Sequence, residues 1–145
     1  MIMYAVIRIR GTANITGDIE DTLHILRLNK PHHCVIVPEN DSYKGLLHKA
    51  KDYITWGEID DKTLVALVEK RAKISRTKKI DPKKTKTIID AIKNSKIEES
   101  EIRPVFQLAP PRKGFERKGV KRAFTQGGAL GYRKEKINAL IERMM

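Results

Sequence analysis

Residues 3–10 read Met-Tyr-Ala-Val-Ile-Arg-Ile-Arg (MYAVIRIR), and this octet decides the class of fold. Met3, Ala5, Ile7 and Ile9 alternate with Tyr4, Val6, Arg8 and Arg10, the period of two that defines a strand with distinct faces. Gly11 ends it, and a polar loop runs to Gly17. Asp18, Glu20 and Asp21 then sit where a helix N-terminus favours acids, while Ile19, Leu23 and Leu26 share one face of that helix. Asn29 is the expected left-handed residue at its end, and Pro31 stops it. Residues 33–37 form a short buried strand closed by Pro38. Asp41 or Ser42 caps a second helix carrying Leu46, Leu47 and Ala50, and a third strand follows over residues 53–58 around Trp56. Strand, helix, strand, helix, strand within some 60 residues predicts a ferredoxin-like split α+β sandwich. With helices on one sheet face, the other face stays free and presents Arg8 and Arg10.

Beyond residue 60 the pattern changes. Asp60 or Asp61 caps a helix with Leu64, Leu67, Val68 and Arg71 on one side, and a later helix holds Ile88, Ile89 and Ile92. A strand is expected over 105–108, then a long Pro/Gly/basic loop. A last helix over 133–145 places Ile137, Leu140, Ile141 and Met144 on one stripe, which needs the body of the protein as its partner. The expected division is a core over 1–60, a helical insert over 61–102 and a basic C-terminal extension over 103–145.

Charge follows the same division. The 145 residues carry 30 Lys/Arg against 18 Asp/Glu, a formal net of +12. Residues 1–61 hold 7 basic and 9 acidic side chains, whereas residues 62–145 hold 23 and 9. A near-neutral platform thus carries a polyanion-binding second half. No apolar run approaches the roughly 20 residues a membrane helix needs, and early arginines argue against a signal peptide. A cytoplasmic protein without membrane contact is expected. Cys34, the single cysteine, allows no intrachain disulfide and reads as a buried, inert thiol.

The loop over residues 110–131 is the strongest chemical signal. It carries Arg112, Lys113, Arg117, Lys118, Lys121 and Arg122 against one acid, Glu116, with Phe115, Phe124 and several glycines interleaved. Cations neutralise phosphates, glycines let backbone N–H groups approach them, and aromatic rings either stack on bases or wedge into the core. A merely solvated tip is the alternative. Residues 71–86 add a second basic run with Arg76, Lys78 and Lys79, again readable as phosphate contacts or solvated surface. Arg8 and Arg10 are equally readable as RNA contacts or ordinary sheet-face arginines. Catalytic readings find little support. His24, His32, His33 and His48 lack metal-ligand spacing with Cys34, no phosphate-binding loop or nucleophile elbow is present, and no cofactor or metal is expected. A small ferredoxin-like enzyme and a free-standing RNA chaperone remain the rival classes.

Residues 22–59, TLHILRLNKPHHCVIVPENDSYKGLLHKAKDYITWGEI, resemble the signature of the large-subunit ribosomal protein L-thirty family, whose eukaryotic relative is L-seven. The resemblance rests on Thr22, Leu23, Leu26, Leu28, Lys30, His33 and Val35, then Leu46, Leu47, Ala50, Tyr53 and Ile54. The ending PPRKG…KRAFTQGGALGYRKEKINALIERM is similar to that of the longer archaeal and eukaryotic members. That resemblance implies a non-enzymatic structural protein of the large ribosomal subunit. Its partners would be large-subunit rRNA and neighbouring ribosomal proteins, without obligate homo-oligomerisation. It also implies RNA contacts at Arg8, Arg10, Thr12, Asn14, Lys30, Arg112 to Arg122 and Arg133. Deleting residues 110–128 should then abolish RNA binding and leave the core folded.

Overall fold

A computed structural model describes residues 3–11, 13–74, 78, 81–94 and 102–145. Its elements are β1 (Met3–Arg8), α1 (Gly17–Ile25), β2 (His33–Pro38), α2 (Asp41–Lys49), β3 (Ile54–Glu58), α3 (Asp61–Arg71), α4 (Thr85–Lys93), β4 (Phe106–Gln107), β5 (Gly131–Tyr132) and α5 (Ile137–Met144). The described strands form one mixed sheet in the order β4-β2-β1-β3-β5. β1 lies between β2 and β3 and is antiparallel to both, so β2-α2-β3 is a split β-α-β unit. Two-residue strands finish the edges, β4 antiparallel to β2 and β5 parallel to β3. The α+β, ferredoxin-like expectation holds.

The free sheet face does not. Every residue of β1 is buried, because helices cover both sides. Tyr4 and Val6 pack with Leu23, Leu26, Leu28 and Leu47 under α1 and α2. Met3, Ala5 and Ile7 pack with Leu64, Leu67, Ile88, Ile92, Phe106, Leu140 and Ile141. The second cluster draws on all three expected segments, so the C-terminal helices supply the cover that the first sixty residues lack. Gly57 makes this docking possible. A Cβ there would run into the carbonyl of Lys134 and the side chain of Ile137, so only glycine lets the start of α5 lie against β3.

The first three strands and first two helices begin within a residue or two of expectation, whereas the last helix begins four residues later than expected. α1 ends at Leu26, with Arg27 (φ 61°) as the left-handed residue in place of Asn29. The Leu28 N–H donates to the Leu23 carbonyl at 2.9 Å and the Arg27 N–H to the His24 carbonyl at 3.0 Å, a Schellman closure. Leu28 is fully buried, and turning it back onto Leu23 requires the chain to leave the helix two residues before Asn29. Asn40, not Asp41 or Ser42, caps α2 by accepting from the Tyr43 N–H at 2.8 Å. Asp60 caps α3 through the Thr63 N–H at 2.7 Å. The last helix begins at Ile137, after a 3-10 turn over Lys134–Lys136.

Candidate nucleic-acid interface

The segment 109–133 is a folded arm, not a bare loop. At its base the Ala109 N–H donates to the Met144 carbonyl at 3.0 Å and the Arg112 N–H to that of Arg143 at 3.1 Å. Further out the arm doubles back on itself. Lys118 N–H donates to Gly127 (3.2 Å), Ala129 N–H to Gly119 (3.0 Å), Phe124 N–H to Leu130 (2.7 Å) and Leu130 N–H to Arg122 (3.1 Å). Gly128 sits where the two passes cross, and a Cβ there would collide with the Arg122 backbone. Ala129 and Leu130 are buried against Ile9, with Phe115 and Val120 packed beside them.

One ion pair, with Arg133 buried and Glu116 half-buried, fastens this arm. Arg133 has a side-chain exposure of 1% and pairs with Glu116 at 2.6 Å. Its guanidinium makes a second bond to Glu116 at 3.3 Å and reaches the Ala129 carbonyl at 2.6 Å and Thr55 Oγ1 at 2.8 Å. Its ring neighbour is Phe124, 4.8 Å away. Phe115 stacks on His32 at 6.0 Å. Both phenylalanines of the arm are therefore engaged by the protein, which favours the wedge over the base-stacking reading.

The cations point outward. Arg112, Lys113, Arg117, Lys118, Lys121 and Arg122 are all exposed, and Lys113 (φ 65°) with Gly114 (φ 74°) makes a tight left-handed turn. The arm lies at the end of the sheet where β1 finishes, and other candidate residues lie near it. Lys30 and Asn14 are exposed in neighbouring loops, and half-buried Arg10 lies over the Tyr53 ring at 5.0 Å. His33 at this end is held below the ordinary imidazole range by burial, then by nearby Lys30, Arg8 and Arg103. Lys78, also exposed, is joined through its carbonyl to Ile74 just beyond α3.

Two expected contacts are interior instead. Arg8 is 3% exposed, and its guanidinium donates to the carbonyls of Leu28 (2.6 Å), Arg10 (2.9 Å) and Gly11 (3.2 Å). It ties β1 to the turn after α1 and has no reach to a ligand. Arg133 is the arm's anchor, as described. Thr12, Arg76 and Lys79 lie outside the described residues. Glu116 is the functional residue that sequence reading passed over. Its signal was present, since an acid alone among six cations in a basic loop calls for an inward partner.

Burial pushes the Cys34 thiol up to about 12, and among the described residues no three His, Cys, Asp or Glu side chains converge as metal ligands. No described helix is long and apolar enough to cross a membrane.

Comparison with known proteins agrees with this picture. Residues 4–54 match the family described as Ribosomal protein L30p/L7e. A curated protein from Methanococcus vannielii named "Large ribosomal subunit protein uL30" is 45% identical, covering 98% of this chain and 99% of that protein. Its namesake from Nanoarchaeum equitans is 46% identical with 99% of both chains covered. The chain belongs to the L30p/L7e ribosomal protein family. Within that family the profile match stops at residue 54, inside the β1–β3 core, whereas the archaeal relatives align through the arm and α5. A third, from Methanosphaera stadtmanae, is 44% identical with 99% and 100% covered, so the long L30p/L7e form recurs among them.

Proposed function

We propose that this chain is a structural protein of the large ribosomal subunit that grips large-subunit rRNA by its phosphates and performs no catalysis. The observation that carries this reading is the arm: six exposed Lys/Arg side chains on a segment fastened to the core by the Arg133–Glu116 pair. A preformed row of cations loses little conformational entropy on binding, and each neutralised phosphate releases counterions. The contact set is Arg112, Lys113, Arg117, Lys118, Lys121 and Arg122, with Arg10, Asn14, Lys30 and Lys78 beside them. Thr12, Arg76 and Lys79 keep the role expected of them. Arg8 and Arg133 act as positioning residues. The names of the relatives support placement in the large ribosomal subunit beside other large-subunit proteins; the proposal adds a cytoplasmic location, no membrane contact and no obligate homo-oligomer.

The test is a salt titration of RNA-free protein on large-subunit rRNA by filter binding. If roughly 6–10 phosphates are engaged, affinity falls by about 10³–10⁵ between 50 and 200 mM salt. A slope near zero sinks the proposal, and equal affinity for unrelated folded RNA would favour a general chaperone. Cosedimentation with large subunits after a high-salt wash checks the cellular assignment.

A further inference from the structure

The end of the sheet opposite the arm has different chemistry. There Tyr4 of β1, Trp56 of β3 and Tyr132 of β5 wall a depression of about 340 Å³, with Glu39, Lys44, His48 and Glu58 at its rim. Tyr132 meets Trp56 at a ring separation of 6.1 Å and Tyr4 edge-on at 6.1 Å. The Tyr4 hydroxyl donates to Glu39 and the Tyr132 hydroxyl to Glu58, each at 3.0 Å. Burial, followed by these carboxylates, pushes both phenols up to about 12, so the rings stay neutral. Glu39 is paired with Lys44 at 3.1 Å. No described cation pairs with Glu58, and an adjoining groove extends the same edge past Asp60, Glu135 and Asp61, the last paired with Lys93 at 3.1 Å.

We propose that this depression docks a cationic side chain, arginine above all, presented by a basic segment of a partner protein. π faces attract cations, and a carboxylate beside them matches the guanidinium fork. Tyr132 is 37% exposed, so one wall is open to an incoming side chain. RNA fits poorly here, since its phosphates would face Glu58 and the carboxylates of the adjoining groove. The chain's net charge of +12 repels a cationic peptide elsewhere, so binding would be local. This inference stands apart from the RNA reading.

Trp56 is the chain's sole tryptophan and serves as the reporter. Full-length, RNA-free protein is titrated with a blocked arginine-rich hexapeptide while Trp56 emission is followed. A glutamate-rich hexapeptide and an RNA hexanucleotide are run in parallel. The expected result is a saturable response to the arginine peptide alone. Glu58→Gln, which keeps an acceptor for Tyr132 but removes the charge, should raise the midpoint at least fivefold. Tyr132→Leu should weaken binding in the same direction, and Glu69→Gln on the exposed side of α3 should leave it within twofold. Circular dichroism confirms that each variant is folded, and rRNA affinity of Glu58→Gln should match the parent. Absence of saturation, an unchanged midpoint in folded Glu58→Gln, or displacement of the peptide by the hexanucleotide would each overturn the proposal.

Discussion

Glu116 bears a negative charge in the middle of a strongly basic surface, yet its carboxylate faces inward to Arg133. Simple electrostatics says that removing it should strengthen RNA binding. The ion pair says the opposite. Glu116→Gln leaves the Arg133 guanidinium without its counter-charge, at a cost of about 1–3 kcal/mol measurable by urea unfolding. It should also weaken rRNA binding although net charge rises by one. Lys121→Gln, by contrast, should leave the urea midpoint unchanged and reduce the salt slope by about 1. A third residue-level expectation concerns pH. His32 and His33 are held below the ordinary value of 6.5, by burial first in both. Below about pH 6.5 the unfolded chain therefore takes up protons that the folded chain refuses. Stability contributed by the neutral imidazoles is present above 6.5 and falls as pH drops towards the folded values. Urea midpoints between pH 8 and pH 5 check this, and His33→Gln should flatten the profile. Arg8 shows why sequence could not assign each cation: alternation told which face it lies on, while its burial depends on the Leu28 carbonyl, which only the turn after α1 brings near, and on the chain bending back at Arg10 and Gly11 to offer two more acceptors.

At the scale of elements, periodicity in the first sixty residues was enough to order β1, α1, β2, α2 and β3, because each buries a stripe of its own. It could not show that β1 is covered twice. Tyr4 and Val6 look the same from the sequence whether they meet helices or solvent, and the helices over the other face lie more than fifty residues away. The arm was legible as charge and illegible as structure, since its order comes from turns, backbone crossings and one ion pair. Gly128→Ala forces a methyl group into the Arg122 backbone, so the arm should loosen while β1–β3 stay intact. Limited proteolysis should then cut after Arg122 or Lys118 in the variant before the parent. Deletion of 110–128 is a poorer experiment than first reading suggests, because it strands Arg133 and uncovers Ile9.

At the scale of the molecule, a buried cluster takes side chains from β1, α3, α4, β4 and α5, which argues for one cooperative unit over the three-part division by sequence. Trp56 emission and far-ultraviolet circular dichroism should therefore melt together. Two separated transitions would restore independent domains. The parallel pairing of β3 with β5 joins Thr55 to Gly131 and Trp56 to Tyr132, strands far apart in the chain. During synthesis, β3 leaves the ribosome that makes it some seventy residues before its neighbour exists. At roughly 5–20 residues per second, that outer border waits about 4–15 s for its mate. The nascent chain thus emerges with an open hydrogen-bonding margin, which closes only when the stretch that carries β5 arrives.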